Sequence, residues 1–132
     1  MKHDPYVLII EDDQFLTRAF EAKFARVGIA VRMVHDGEAA LAELKRDGVP
    51  AIVLLDIMLP KTNGLDVLDA IRKSAHWKEV PVFVVSNLGQ QEDINAAKKK
   101  GANEYFIKAN TRIARIVAEV ERYLKKTMNH EA

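Results

Sequence analysis

The sequence of 132 residues contains no cysteine, and this absence excludes several classes of chemistry. Disulfide bonds, thiolate metal sites and cysteine nucleophiles are all ruled out. The chain also lacks an excess of charge of one sign, because 20 basic and 19 acidic side chains leave a formal charge of +1. That balance gives no support for a general nucleic-acid-binding or membrane-binding surface.

Long apolar runs are missing as well. The first apolar run, at residues 6–10, is too short for a signal peptide or a membrane span. No repeat, low-complexity segment or linker interrupts the chain. We therefore expect one cytoplasmic domain over residues 1–132, with a core at about 6–126 and a short polar C-terminal tail at 127–132.

Short apolar segments alternate with segments of helical periodicity along the whole chain. The apolar segments end at Ile10, Val34, Leu55, Val85 and Ile107. This alternation is typical of an α/β fold in which a parallel sheet is covered by helices on both faces. Five units are too few for a closed eight-stranded barrel, so we predict an open, doubly wound (βα)5 sheet. The pattern alone does not give the strand order.

Polar side chains stand directly after four of the five predicted strands. Glu11 and Asp12 follow the first strand, Asp56 the third, Ser86 the fourth and Lys108 the fifth. Because the carboxyl ends of parallel strands lie along one rim of a sheet, we expect these side chains to meet there.

This set of side chains has the composition of a phosphoryl-transfer site. Two carboxylates about 4 Å apart repel by roughly 4 kcal/mol at an effective dielectric constant of about 20, so a cluster of three calls for a cation. Hard oxygen ligands favour Mg²⁺ or Ca²⁺ over zinc. With such an ion, Lys108 would hold a phosphoryl group, Ser86 would hydrogen-bond to it, and a carboxylate would accept it as an aspartyl phosphate.

Four motifs in order resemble the receiver domains of two-component response regulators. They are I-I-E-D-D, L-L-D-I-M-L-P-x-x-x-G-L, V-V-S and F-I-K, with 30 residues from Asp56 to Ser86 and 22 from Ser86 to Lys108. The resemblance implies the flavodoxin-like strand order 2-1-3-4-5. It also implies Mg²⁺-dependent phosphorylation by a sensor histidine kinase or a histidine phosphotransfer protein, in a signalling domain that is not an enzyme.

The resemblance further assigns a role to each residue at the rim. Asp56 would be the phosphoacceptor, and Glu11, Asp12 and the backbone carbonyl of Met58 would complete the metal site. Lys108 would be the invariant lysine of the family. Asp13, next to the acidic pair, is instead expected to cap the first helix.

Two more residues would carry the signal away from the site. Ser86 would be the switch hydroxyl and Tyr105 the aromatic that rotates inward with it. The resemblance places the partner surface on helix 4, strand 5 and helix 5. We expect an unidentified protein partner, no direct contact with nucleic acid or membrane, no output domain on this chain, and a monomer or a weak phosphorylation-dependent dimer.

Four positions are expected to modify this behaviour. Ala109 follows Lys108 where the family usually has proline, often in a cis bond; because a cis non-proline bond costs about 3–4 kcal/mol, we predict a trans Lys108–Ala109 bond. Asn87 replaces the alanine or glycine that the family prefers, and its size should narrow access to the site. Met58 and Leu88 are apolar and offer no hydrogen bond to an attacking water, which predicts slow loss of the phosphoryl group.

Two other functions remain open on the same fold. A Mg²⁺-dependent phosphatase of the haloacid-dehalogenase-like kind also forms an aspartyl phosphate, but it carries a second aspartate two residues after the nucleophile, where this chain has Met58. A flavin-binding module would need Ser, Thr and Gly in the loop after the first strand. Glu11, Asp12 and Asp13 would repel a phosphate there.

Overall fold

A computed structural model describes residues 5–131, with side chains described through residue 127, and contains five strands and five α-helices. The strands are β1 (Tyr6–Ile10), β2 (Ala30–Val34), β3 (Ile52–Leu55), β4 (Val82–Ser86) and β5 (Glu104–Ile107). The helices are α1 (Gln14–Arg26), α2 (Gly37–Glu43), α3 (Gly64–Lys73), α4 (Gln91–Lys99) and α5 (Ile113–Glu131). A short 3₁₀ turn, Lys108–Asn110, connects β5 to α5.

The five strands form one parallel sheet in the order β2-β1-β3-β4-β5. Both the doubly wound α/β architecture and the strand order implied by the resemblance are thereby confirmed. Ile10, the last residue of β1, pairs with Val34 on one side and with Leu55 on the other. The carboxyl ends of these strands are therefore level, and the residues that follow them share one rim.

The core forms two layers, one on each face of the sheet. Successive side chains of a strand point to opposite faces, so Leu8 and Val53 pack towards α3 while Val7 and Ile9 pack towards α1 and α5. Every residue of β3 and β4 is buried. This double burial explains why both strands are continuous apolar runs in the sequence.

Three helices near the carboxyl rim begin at side-chain caps. The carboxylate of Asp13 accepts a hydrogen bond from the Leu16 N–H at 3.2 Å, which confirms its predicted role at the start of α1. Asp36 caps α2 and Asn63 caps α3 in the same way. These caps fix where each helix leaves the loops that surround the rim.

The last helix is longer than expected. Its apolar positions end at Leu124, and the sequence indicated a polar tail from residue 127, but α5 continues to Glu131. The polar residues 125–127 follow Leu124, and they carry none of the apolar periodicity by which an amphipathic helix is predicted. Within the described part of the chain, no helix is both long and apolar enough to cross a membrane.

Candidate functional site

Asp56 lies directly after β3 and is almost fully buried, with 4% of its surface exposed. Its backbone N–H donates to the Ile10 carbonyl at 3.0 Å and thus extends the pairing of β3 with β1. Its side-chain Oδ1 accepts a hydrogen bond from the Met58 N–H at 2.9 Å. Backbone on both sides of the carboxylate therefore fixes its position and orientation.

Lys108 lies between two carboxylates of the site. Its Nζ is 2.7 Å from Asp56 Oδ2 and 2.7 Å from Glu11 Oε1. Burial acts to lower the pKa of Lys108, but the hydrogen bonds to Asp56 and Glu11 outweigh it and leave the pKa above its usual value. The side chain is therefore a fixed ammonium group at the rim.

Glu11 and Asp12 complete an acidic cluster with Asp56. Carboxylate oxygens of the three residues lie within 4.8 Å of one another. Burial raises the pKa of Glu11 to about 7, although the hydrogen bonds from Lys108 and from the Asp13 N–H oppose this effect. The charge of one ammonium group cannot balance the charges of three carboxylates. Their oxygen atoms are the ligands that a hard divalent cation such as Mg²⁺ prefers.

Ser86 and Tyr105 converge on the backbone of Leu88. The Ser86 side chain is fully buried at the end of β4, and its Oγ accepts a hydrogen bond from the Leu88 N–H at 3.2 Å. The Tyr105 hydroxyl donates to the Leu88 carbonyl at 2.5 Å. Burial raises the pKa of Tyr105, so the hydroxyl stays protonated as a donor. The half-buried ring thus connects β5 to the loop that follows Ser86.

The loop from β3 to α3 closes against its own backbone at Gly64. A Cβ at this position would lie 2.4 Å from Ile57 Cα and 2.5 Å from the Asp56 carbonyl oxygen, so only glycine fits. The Gly64 N–H donates to the Ile57 carbonyl at 2.8 Å. Met58, at the tip of this loop, exposes 56% of its surface beside the site.

Two further contacts at the rim were not predicted from the sequence. The exposed His35 ring places Nδ1 3.1 Å from the Glu11 carbonyl oxygen. Its position directly after β2 was the available signal, because β2 ends at the same rim. The second contact is a hydrogen bond from the Ala109 N–H to Asn87 Oδ1 at 3.1 Å.

The peptide bond before Ala109 follows the sequence-based prediction. No cis peptide bond occurs among residues 5–131, so the Lys108–Ala109 bond is trans. The 3₁₀ turn begins at Lys108 itself and ends at Asn110.

Fold and site together define a doubly wound α/β protein with an acidic, lysine-containing site at the carboxyl rim of its sheet. The sequence profile described as "Response regulator receiver domain" matches residues 7–121, and the chain belongs to that family. Receiver domains are signalling domains of two-component systems and are phosphorylated by histidine kinases. The resemblance to receiver domains, predicted from the four sequence motifs, is thereby confirmed.

One curated relative is the transcriptional regulatory protein CpxR of Escherichia coli (strain K12). It is 35% identical over 119 residues, which cover 88% of this chain and 49% of CpxR. The chain thus spans about half the length of this relative.

Two solved structures show the same architecture. The phosphorylated cyanobacterial phytochrome response regulator RcpA is 27% identical, with a TM-score of 0.85 over 95% of this chain and 96% of its own. The receiver domain of sensor histidine kinase PA1611 from Pseudomonas aeruginosa PAO1 is 25% identical, with a TM-score of 0.78 over 94% and 97% of the two chains. That receiver domain has a magnesium ion coordinated in its active-site cleft. The cluster of Glu11, Asp12 and Asp56 fits the metal site of receiver domains.

Proposed function

We propose that residues 1–132 act as one receiver domain that accepts a phosphoryl group on Asp56 from a sensor histidine kinase or a histidine phosphotransfer protein. One observation carries this proposal. Asp56 is a buried carboxylate whose Oδ2 lies 2.7 Å from the Lys108 ammonium, in a cluster with two further carboxylates. A buried nucleophile held beside a fixed cation is suited to phosphoryl transfer.

In this reaction the phosphoryl group passes directly from a histidine of the donor protein to Asp56. A carboxylate oxygen of Asp56 forms a bond to phosphorus while the bond between phosphorus and the donor histidine nitrogen breaks. The electron pair of that bond stays on the histidine. Lys108 leaves its contact with Asp56 Oδ2 for a phosphoryl oxygen and offsets the charge that gathers there.

Glu11, Asp12, Asp56 and the backbone carbonyl of Met58 are the groups that would hold Mg²⁺. When bound, Mg²⁺ supplies positive charge that offsets the charge of the phosphoryl oxygens. Burial raises the pKa of Glu11, and a bound divalent cation would lower it again and so hold this carboxylate in its ionised, ligating form.

The signal would leave the site through Ser86 and Tyr105. Once Asp56 carries the phosphoryl group, the Ser86 side chain would turn so that its hydroxyl donates to one of the phosphoryl oxygens, and its Oγ would move out of reach of the Leu88 N–H. That exchange releases the Leu88 loop, which Tyr105 contacts through its hydroxyl. The surface of α4, β5 and α5 would change with it and be the one that a downstream protein reads.

The test is incubation with phosphoramidate and Mg²⁺, followed by intact-protein mass measurement. We expect the wild type to gain one phosphoryl group and Asp56→Asn to gain none. Asp47→Asn is the matched control, because Asp47 is exposed and lies before β3, at the opposite rim of the sheet. Labelling of Asp56→Asn at the wild-type level would overturn the proposal.

Signalling, rather than turnover of a phosphomonoester, is the function that the site supports. A phosphatase with an aspartyl phosphate needs a general acid near the nucleophile. Met58 offers only a thioether at the position two residues after Asp56, and its side chain is largely exposed. Repeated release of phosphate from a phosphomonoester would favour the enzyme instead.

A further inference from the structure

A hydrogen bond joins the loop that follows Ser86 to the turn that begins at Lys108. Asn87 follows Ser86 directly, and Ala109 follows Lys108 directly. Asn87 Oδ1 accepts from the Ala109 N–H at 3.1 Å. The side chain of one loop thus holds the backbone of the other, across the rim at which Asp56 lies.

Both partners of this bond depend on residue types that the family does not usually have at these positions. A proline at position 109 would have no N–H to donate. An alanine or glycine at position 87 would have no side-chain acceptor. The two departures from the receiver pattern therefore meet in a single contact, as a donor and its acceptor.

Apart from the two ion pairs of the Lys108 side chain, the described residues give the turn that begins at Lys108 few restraints. Its internal hydrogen bond, from the Thr111 N–H to the Lys108 carbonyl, is long at 3.4 Å. Alanine at position 109 does not restrict the backbone as a proline ring does. Ala109 and Asn110 are exposed and belong to neither core layer. The hydrogen bond from the Ala109 N–H to the Asn87 side chain therefore restrains the backbone of this turn.

We propose that Asn87 is a positioning residue for phosphoryl transfer to Asp56. Through the Ala109 N–H, its side chain holds the 3₁₀ turn and with it the Lys108 backbone. The Lys108 ammonium is thereby kept within reach of Asp56 Oδ2, where the transferring group arrives. This inference rests on the proposed function of Asp56.

The bond is exposed to solvent, so its effect is moderate. A net contribution typical of one hydrogen bond corresponds to a change of about three- to tenfold in the rate of a step that depends on it. The step that depends on Lys108 is phosphoryl transfer, because the ammonium group meets the phosphoryl oxygens there.

Two substitutions at position 87 separate the hydrogen bond from the bulk of the side chain. Asn87→Leu keeps the size and removes the acceptor, whereas Asn87→Asp keeps an acceptor oxygen at the same place. The initial rate of labelling by phosphoramidate is measured at saturating Mg²⁺ for both and for the wild type. Hydrogen exchange of the Ala109 amide, followed by NMR, reports on the bond itself, and the thermal unfolding midpoint reports on global stability.

We expect Asn87→Leu to slow labelling about three- to tenfold and to speed exchange of the Ala109 amide by a similar factor. Its unfolding midpoint should stay at the wild-type value. Asn87→Asp should retain the slow amide exchange and label within about twofold of the wild type. A merely structural role would change the midpoint and leave the labelling rate of folded protein unchanged.

A second comparison uses the donor side of the bond. In the Ala109→Pro background, which has no N–H at position 109, Asn87→Leu should have no further effect on labelling. Wild-type labelling by Asn87→Leu, or an equal effect of Asn87→Leu in both backgrounds, would overturn the inference while leaving Asp56 as acceptor. Failure of the wild type to be labelled at all would instead refute the proposed function.

Discussion

At the scale of single residues, the buried carboxylate of Glu11 makes the stability of the metal-free protein depend on pH. Its pKa in the folded protein is about 7, against an ordinary value of 4.5. As the pH rises between these values, the unfolded chain loses this proton first, so the folded state binds more protons. Stability therefore falls as the pH rises from about 4.5 to about 7.

Replacing Glu11 by Gln removes the titrating group and keeps its size. In metal-free buffer at pH 8, we expect the variant to be more stable than the wild type by roughly 1–3 kcal/mol, and the gain should vanish near pH 4. Urea denaturation at both pH values measures this. Glu21→Gln, on the exposed side of α1, should show no such dependence. An equal gain at both pH values would contradict the electrostatic explanation.

We expect Met58 and Leu88 to affect how long a phosphoryl group on Asp56 lasts. Met58 is largely exposed, Leu88 is half-buried, and neither can hydrogen-bond to a water that attacks phosphorus. We expect the double variant Met58→Asn with Leu88→Glu to lose the phosphoryl group about tenfold faster than the wild type, because it can orient that water. Decay of the labelled protein in Mg²⁺ is the measurement. Slower decay of the double variant would contradict the account.

The sequence showed which side chains meet at the rim but not all their partners. Asp56 and Lys108 could be found because strand ends of a parallel sheet lie together. The Leu88 backbone, which both Ser86 and Tyr105 contact, has no such signal, because every residue carries a carbonyl and an N–H. Only the folded structure of the loop after β4 shows that the Leu88 backbone contacts both Ser86 and Tyr105.

At the scale of elements, the loop from β3 to α3 depends on Gly64. Its missing Cβ allows the backbone at Asp56 and Ile57 to approach closely. Alanine at this position must displace that backbone, and with it the carboxylate of Asp56.

We expect Gly64→Ala to destabilise the protein by roughly 1–3 kcal/mol and to slow labelling of Asp56. Thermal unfolding and the phosphoramidate assay measure the two effects. Gly48→Ala is the control, since its Cβ would meet only the Tyr6 side chain, at 3.5 Å from the hydroxyl and 3.8 Å from Cε1, which are ordinary contacts. If Gly64→Ala matched the Gly48→Ala control in both assays, the close approach would not constrain the site.

Element types and most of their bounds could be predicted because each buried strand is an uninterrupted apolar run. The 3₁₀ turn at Lys108–Asn110 could not, because three residues carry no periodicity. The far end of α5 was missed for a related reason. Residues 125–127 are polar, so the apolar pattern that ends at Leu124 does not indicate that the helix continues to Glu131.

At the scale of the whole molecule, Arg72 ties the rim opposite the site together. Its guanidinium donates to the carbonyls of Lys78, Val80 and Gly101 and to the side chain of Asn103, at distances of 2.7–3.2 Å. It thereby links α3 to the segments that lead into β4 and β5.

Arg72→Met should lower the free energy of unfolding by roughly 2–4 kcal/mol, because several carbonyls lose their donor. Arg72→Lys should recover little of this, since one ammonium group cannot match the planar, multiple donors of arginine. Lys73→Met, an exposed neighbour, is the control for urea denaturation. Below the melting temperature, Arg72→Met should still be labelled by phosphoramidate. Unchanged stability of Arg72→Met would show that the cluster contributes nothing.

The strand order is the whole-molecule feature that local patterns could not supply. The sequence of each strand indicates that the strand is buried, but neither β1 nor β3 has a sequence feature that predicts their pairing. The order came from the resemblance to receiver domains, which links the motifs of four strand ends into one arrangement. The contacts of Arg72 with Gly101 and Asn103 were not predicted either, because they join residues 29 and 31 positions apart in the sequence.

The most direct test of the central claim is to locate the phosphoryl group. The protein is labelled with phosphoramidate and Mg²⁺ and reduced with borohydride, which converts an aspartyl phosphate to homoserine, and its peptides are then mapped by mass. We expect conversion at Asp56 alone. Conversion at Asp12 or Asp13, or labelled protein with an unmodified Asp56, would contradict it.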